Sequence, residues 1–220
     1  MALKFLKIDL IRVKKFWYVL FLPLFILFFF LGKDSHTPAL FGLCYCLFIG
    51  MIFSSFPANS EVKGERGFLQ MLPAKPGSDI KGHFLFAAFC IALFTVISCI
   101  ILTVVKLIRP GFDLFEISGR DMSGFYPIAI GFALLVAGIE LLLLTIFRYK
   151  SLQVQQLLRI IPAFIFFFGM SSVSDRAQEM RLPELSYGLG KGCMALFIAC
   201  IVIFVVLAEV SSRITAAKEG

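Results

Sequence analysis

The sequence is poor in charged residues and in histidine. Only 16% of its 220 residues are charged and two are histidines, whereas about a quarter of the residues in an ordinary soluble domain are charged. Hydrophobic residues make up 60% of the chain, which is more apolar surface than a soluble domain of this size can shelter. The composition therefore excludes an ordinary soluble globular protein.

Motifs for catalytic or nucleotide chemistry are also missing. There is no HExxH or DxxxD array for a metal, no CxxC pair among the six cysteines, and no GxxxxGKS or GxxxxGKT phosphate loop. The glycine-rich stretch Gly188–Gly192 has the wrong spacing for such a loop and is interpreted as an ordinary connection. The cysteines lie in apolar runs and are interpreted as small buried hydrophobes, with a metal or redox site as the alternative. We expect no enzyme activity and no cofactor in this chain.

Long apolar runs dominate what is present. Runs of about 18 residues or more are candidates for membrane-spanning helices. The sequence predicts an all-α polytopic membrane protein in which residues 1–220 form a single transmembrane domain. The six predicted spans are Phe16–Leu31, Ala39–Phe56, Phe84–Val105, Tyr126–Phe147, Ile160–Val173 and Gly192–Val210. The fifth is short, and a chain of five spans would place the C-terminus outside.

Lysine and arginine are distributed unevenly between the predicted connections. Fourteen of the 21 lie in the N-terminal segment, the connections after spans two and four, and the tail, and seven lie in the alternate connections. Because cytoplasmic loops carry an excess of these residues, both termini are predicted to be cytoplasmic. Connections 106–125 and 174–191 are then outer loops, forming either a small cap or ordinary loops. The basic residues set topology, and no nucleic-acid partner is expected.

The basic N-terminal segment 1–15 has a helical pattern. Five apolar residues share one helical stripe: Leu3, Leu6, Leu10, Val13 and Trp17. The basic residues of the segment lie largely off that stripe. This pattern predicts an amphipathic helix lying in the inner membrane interface, and the alternative is a basic flank that extends span one.

One carboxylate interrupts predicted span four. A charge such as Glu140 costs about 2.5–3.5 kcal/mol at the membrane centre, so it is expected to face protein or water. Ala129, Ala133 and Ala137 form a small-xxx-small line close to it, which favours close helix packing. Three interpretations stay open. Glu140, Ala133 and Ala137 line a translocation path, or Glu140 hydrogen-bonds between helices, or Glu140 couples transport to protons.

Connection 57–83, after span two, is polar and rich in turns. Residues at helical spacing followed by a proline predict a short amphipathic helix here: Glu61, Glu65, Phe68, Leu72 and Pro73. Ser78 or Asp79 is predicted to begin the helix of span three. Two glycines weaken the short helix, so it is expected to rest on lipid headgroups or on a partner protein.

The same connection resembles that of a known family. Its order of acid, lysine, glycine, Leu-Pro and helix entry is similar to that in small six-span permease subunits of type-2 ABC exporters, of the sort that exports bacterial peptides such as phenol-soluble modulins. The matching residues are Glu61, Lys63, Gly67, Leu72, Pro73 and the run 79–85. His83 stands where the family usually has a lysine. Size, span count and topology match in outline along the whole chain.

The resemblance implies a coupling helix that sits in a groove of a separate ATPase. The ATPase-coupling residues would be Glu61, Lys63, Glu65, Phe68, Leu72, Pro73 and Asp79. Two ATPase subunits would bind ATP and Mg, and a second permease copy, identical or different, would complete the exporter in a bacterial cytoplasmic membrane. The implied function is export of amphipathic or antimicrobial peptides or similar apolar cargo. The alternative is a proton-coupled secondary transporter or channel that uses Glu140.

Overall fold

A computed structural model describes a large part of the chain. The described residues are 2–14, 39–54, 57, 77–108, 116–117, 120–121, 125–147, 161, 164–165, 168 and 185–219. Predicted span one lies outside them, and so does most of predicted span five. Of the predicted coupling residues only Asp79 lies inside the described part, and the predicted helix between residues 60 and 73 lies outside it.

The regular structure in the described part is almost entirely helical. In chain order the elements are α1 (Ala2–Val13), α2 (Ala39–Ser54), α3 (Ser78–Ile108), β1 (Glu116–Ile117), β2 (Arg120–Asp121), α4 (Phe125–Ile146) and α5 (Leu185–Glu219). The two short strands pair antiparallel, with Glu116 opposite Asp121. Both strands lie inside the predicted outer connection 106–125.

Helices α3, α4 and α5 are long and apolar enough to cross a membrane. The candidate spans are Ser78–Ile108, Tyr126–Ile146 and Met194–Ala217. They coincide with predicted spans three, four and six, which are confirmed as apolar helices. Predicted span two is likewise helical, over Ala39–Ser54. Each of these helices contains a long apolar run. Helix α3, for example, has no lysine, arginine, aspartate or glutamate between Lys81 and Lys106.

Two helices are longer than the spans predicted for them. Helix α3 continues past Val105 to Ile108, and helix α5 begins at Leu185, before the predicted start of span six at Gly192. Hydropathy marks the membrane-embedded part of a helix, whereas the helix itself can continue into the flanking residues. The assignment of connections 106–125 and 174–191 to the outer side stays a prediction.

The glycine-rich stretch Gly188–Gly192 is helical, so its interpretation as an ordinary connection was wrong. Glycine in a helix interior costs about 1 kcal/mol relative to alanine. That penalty is small beside the gain from a continuous 35-residue helix with a long apolar run. Gly192 is exposed, and a Cβ at its position would meet no other atom within 4 Å.

The helices pack through aromatic and small side chains. Phe53 of α2 lies beside Phe86 and Phe94 of α3, with ring centroids 6.4 and 6.2 Å apart. Phe84 of α3 lies beside Phe204 of α5, with ring centroids 5.3 Å apart. Helix α3 also contacts α1 and α4, so it touches each of the four other described helices and lies in the middle of the described bundle.

The directions of the helices follow from these contacts. Helix α2 runs antiparallel to α3, whereas α4 and α5 run parallel, since Gly131 lies against Phe197 and Gly138 lies against Phe204. Helix α1, the start of α3 and the end of α5 meet at one end of the bundle, which we call the α1 end. The end of α4 and the start of α5 therefore lie at opposite ends.

The buried face of α1 differs from the predicted stripe. Phe5 and Asp9 are buried, at 6% and 1% exposure, whereas Leu3 is 73% exposed. Leu6 and Leu10 are only partly buried, against the α2–α3 core. The segment is helical, as predicted, but its packed face is rotated by about a quarter turn from the predicted stripe. Its place in the inner membrane interface stays a prediction. The rotation arises because α1 packs on α3 through Asp9, a residue that apolar periodicity does not count.

Candidate functional site

The first residues of α3 stand at the exit of connection 57–83, where the sequence places the coupling region. Helix α3 begins at Ser78, as predicted, and Asp79 lies half-buried in its first turn. An aspartate there is favoured by the partial positive charge of a helix N-terminus. The structure thus places Asp79 at the α1 end, next to the residues that fasten α3 to its neighbours.

Gly77 fits a tight junction between the start of α3 and the end of α5. Its φ of +74° lies in the left-handed region, which favours glycine. A Cβ at this position would also collide with the carbonyl oxygen of Ser212 in α5. The Ser212 hydroxyl donates a hydrogen bond to the Gly77 carbonyl oxygen at 3.1 Å. Backbone conformation and close approach therefore both require glycine here.

A charged contact joins the same two helices. The Lys81 Nζ donates to Glu209 Oε2 at 2.6 Å, and the Arg213 Nε donates to Glu209 Oε1 at 3.3 Å. All three side chains are substantially exposed. Water screens exposed ion pairs, so they contribute little to stability. This contact serves mainly to fix the position of α3 relative to α5.

A buried polar pair joins α3 to α1. His83 Nδ1 lies 2.8 Å from Asp9 Oδ2, and the side chains are only 4% and 2% exposed. Gly82 lies beside it, and a Cβ there would collide with Phe5. A buried ionisable group is expensive unless it is paired. The pair and the close contact at Gly82 therefore hold α1 in one position on α3.

Sequence reasoning missed this pair. Asp9 lies among the basic residues of segment 1–15 and was given no role. His83 was interpreted only as a replacement for a lysine of the family. The two residues are 74 positions apart, so no local pattern joins them. The one available signal was the helical spacing of Phe5 and Asp9, which places an acid on the same face as an aromatic residue.

Glu140 and the alanine line occupy the interior of the described bundle. Glu140 is 1% exposed, and Ala129, Ala133 and Ala137 are fully buried. The alanines pack against Leu47 and Met51 of α2 and Ile91 of α3. The small-xxx-small line is confirmed as a packing surface within this chain. The assignment of Glu140, Ala133 and Ala137 to a translocation path stays a prediction.

A second close-packing surface of α4 was not predicted. A Cβ at Gly138 would lie 2.9 Å from the ring of Phe204 in α5, and one at Gly131 would lie 3.2 Å from Cys200. The two glycines are seven residues apart, two helical turns, so they share a face. Helix α4 thus uses its alanines toward α2 and α3 and its glycines toward α5.

Among the residues that the structure describes, no group of three or more His, Cys, Asp or Glu side chains could hold a metal ion. Apart from Arg213–Glu209 within α5, the polar contacts at the α1 end join one helix to another, with geometry suited to holding elements together.

Comparison with protein families gives a match over almost the full length. Residues 4–216 match the sequence profile of the family described as ABC-2 family transporter protein. The matched range includes the polar contacts at the α1 end as well as Glu140. Comparison with curated proteins and with solved structures gives no match.

Proposed function

The chain belongs to the ABC-2 family of transporter proteins and is the permease component of an ABC transporter, and we propose that it exports amphipathic peptides with energy from separate ATPase subunits. In this proposal the ATPases dock on connection 57–83, at the α1 end of the bundle. One observation carries the proposal beyond the family. The helix into which that connection leads is fastened to two other helices within its first two turns.

Those contacts give the connection a way to move the bundle. Asp9 and His83 join the start of α3 to α1, while the Ser212–Gly77 and Lys81–Glu209 contacts join it to α5. A displacement of the start of α3 would therefore shift α1 and α5 with it, because packed interfaces move as units rather than deform continuously. Helix α5 would carry the movement to α4 along their glycine-mediated contact.

The arrangement of the ends supports the proposed topology. Helix α1 and the end of α5 share one end of the bundle with connection 57–83, and the basic residues concentrate in these segments, which supports cytoplasmic placement of both termini. The end of α4 and the start of α5 lie at opposite ends of the bundle. A fifth span between them would connect these two ends. Six spans in a bacterial cytoplasmic membrane are therefore part of the proposal.

The proposed translocation path involves movement of α4. Glu140, Ala133 and Ala137 are buried between helices of this chain. They would line a path only if α4 separated from α2 and α3. A second permease copy, identical or different, would then supply the other wall. The proposed cargo, an amphipathic or antimicrobial peptide or a similarly apolar molecule, rests on the family resemblance and on the 27 phenylalanines of the chain.

The ATPase subunits supply the nucleotide chemistry in this proposal. They would bind ATP and Mg, and the permease would contribute the docking residues Glu61, Lys63, Glu65, Phe68, Leu72, Pro73 and Asp79. Charged residues around an apolar edge suit a moderate protein interface, with Phe68 and Leu72 as its apolar centre.

Co-purification tests the docking site. The protein is purified from its native host in mild detergent, and the bound ATPase is quantified by mass spectrometry and by ATP hydrolysis. We expect an ATPase to co-purify with the unaltered chain. Glu65→Arg combined with Phe68→Asp should remove it, because the change reverses one charge and places a carboxylate at the apolar centre.

The chain offers a matched control for this experiment. Glu116→Arg with Phe115→Asp makes the same chemical changes in the predicted outer connection, and it should leave the ATPase bound. Both variants must reach the membrane at the level of the unaltered protein. Retention of the ATPase by the Glu65 and Phe68 variant would reject the docking site.

The buried position of Glu140 favours a second candidate function, proton-coupled secondary transport or a channel. A carboxylate that is 1% exposed within a candidate span is a suitable proton carrier. This function predicts transport driven by an ion gradient in vesicles that contain the chain alone, and its loss in Glu140→Gln. Transport that requires ATP and the ATPase would exclude it.

A further inference from the structure

Helix α1 presents a mixed apolar and basic surface on the side away from α3. We call it the outer face of α1, and it consists of Leu3, Lys4, Lys7 and Ile11 together with Lys14, which directly follows the helix. All five are exposed, Leu3 at 73% and Ile11 at 62%. At about 100° per residue they fall within an arc of about 100°, opposite the buried Phe5 and Asp9. One side of α1 is thus fixed to protein, and the opposite side holds two large apolar residues among three lysines.

The acidic residue of segment 1–15 does not lie on the outer face of α1. Asp9 is the only aspartate or glutamate in residues 1–15. It is buried and lies 2.8 Å from His83 on the opposite side of the helix. The outer face of α1 therefore carries positive charge with no acid of its own segment beside it.

The depth of α1 matches a membrane surface. It contacts α3 at Gly82 and His83, where the run of α3 without lysine, arginine, aspartate or glutamate begins. That run, Gly82–Val105, contains 24 residues, or about 36 Å of helix, which is slightly more than the ~30 Å hydrocarbon core. The start of the run, and α1 with it, therefore lies close to the boundary between acyl chains and headgroups.

We propose that the outer face of α1 is a docking surface for anionic phospholipid headgroups. Leu3 and Ile11 enter the edge of the acyl region, and the three lysines bind lipid phosphates as point charges. Charge complementarity selects this partner, since a neutral headgroup surface gains little from three lysines. The proposal does not depend on the ATPase and goes beyond the transport function.

The chain's only tryptophan, Trp17, reports on lipids near this face. It lies three residues after Lys14, so it is within about 11 Å of it in any conformation. Full-length protein is placed in nanodiscs of phosphatidylcholine and phosphatidylglycerol at one fixed ratio. In one sample the phosphatidylglycerol is brominated and in the other the phosphatidylcholine is. The quenching of Trp17 fluorescence per brominated lipid is then compared between the two samples.

We expect brominated phosphatidylglycerol to quench about threefold to tenfold more per lipid than brominated phosphatidylcholine, and this ratio to fall with added salt. The triple variant Lys4→Gln, Lys7→Gln and Lys14→Gln should reduce the ratio to about one. Because all three lysines are exposed, the variant should fold, which its elution volume and melting temperature will show.

A control separates this face from overall charge. Arg148→Gln, Lys150→Gln and Arg159→Gln remove the same charge from the connection after predicted span four, and this variant should keep the high ratio. A ratio of about one in the unaltered protein would overturn the proposal and point to an acidic protein surface instead. A high ratio in the Lys4, Lys7 and Lys14 variant would overturn it equally, because anionic lipid would then gather there without the outer face.

Discussion

The two ends of α3 are held in different ways. At its start, Gly77, Lys81 and His83 each contact another helix through a hydrogen bond or an ion pair. At its far end, Lys106, Leu107 and Ile108 are exposed, Leu107 at 76%. The apolar run between the two ends packs on neighbouring helices along one face. One helix thus combines an end fastened by polar contacts with an end that projects from the bundle.

The difference shows where the bundle can transmit force. Apolar packing between helices tolerates small sliding movements, whereas a directional polar contact fixes both distance and orientation. The fastened end is the one next to connection 57–83, where the proposed ATPases dock. A movement applied there reaches α1 and α5 directly through these polar contacts.

Loss of the buried pair should have the largest effect. Asp9→Ala or His83→Ala removes one member of the buried pair and deprives the other of this contact, which costs about 3–5 kcal/mol in the free energy of unfolding. The measurement is titration of the purified protein with SDS in mixed micelles. Lys106→Ala at the exposed end should change the same quantity by less than about 0.5 kcal/mol.

A double replacement sharpens this result. Asp9→Leu with His83→Leu substitutes an apolar contact for the pair, and it should lose less stability than either single alanine variant. If the single variants cost no more than Lys106→Ala, the pair is not what holds α1 on α3.

Replacement of Gly77 should have an intermediate effect. Gly77→Ala forces a side chain into a left-handed conformation and against the Ser212 carbonyl, so we expect a loss of about 1–3 kcal/mol in the same titration. Gly192→Ala is the matched control, because that glycine is helical with open space around it, and the change should be neutral or stabilise by up to about 1 kcal/mol. Equal effects at both positions would show that the junction of α3 and α5 is not close in the folded protein.

The sequence predicted the helices better than their contacts. The apolar runs of spans three, four and six each correspond to a helix, because exclusion of charge from hydrocarbon is a local property of the sequence. A start of α3 at Ser78 or Asp79 was also predicted, since a capping residue and an early acid are local signals. Helix ends such as Leu185 were missed, because polar residues at the membrane surface continue a helix without an apolar signal.

The contacts at the α1 end depend on residues far apart in the chain. The Asp9–His83 and Gly77–Ser212 contacts join positions 74 and 135 residues apart. Their chemistry is ordinary, and only the fold brings them together. The alanine line of α4 was predictable as a packing surface because small residues at four-residue spacing are a local pattern. The sequence did not predict which helices the alanine line packs against. It also did not predict that Gly138 packs against a different helix, α5.

The exposed ion pair should have the smallest effect on stability and a local effect on dynamics. Lys81→Gln removes the charged contact between α3 and α5, and water screening limits the fall in melting temperature to no more than about 2–4 °C. Amide hydrogen exchange of residues 77–84 should nevertheless be faster, since the start of α3 loses one of its attachments to α5. Arg213→Gln is the control, because it removes a contact within α5 and leaves the link between helices in place. Equal exchange rates in the Lys81→Gln and Arg213→Gln variants would mean that the buried pair and the Gly77 junction hold the start of α3 in place. Lys81 would then contribute only surface charge.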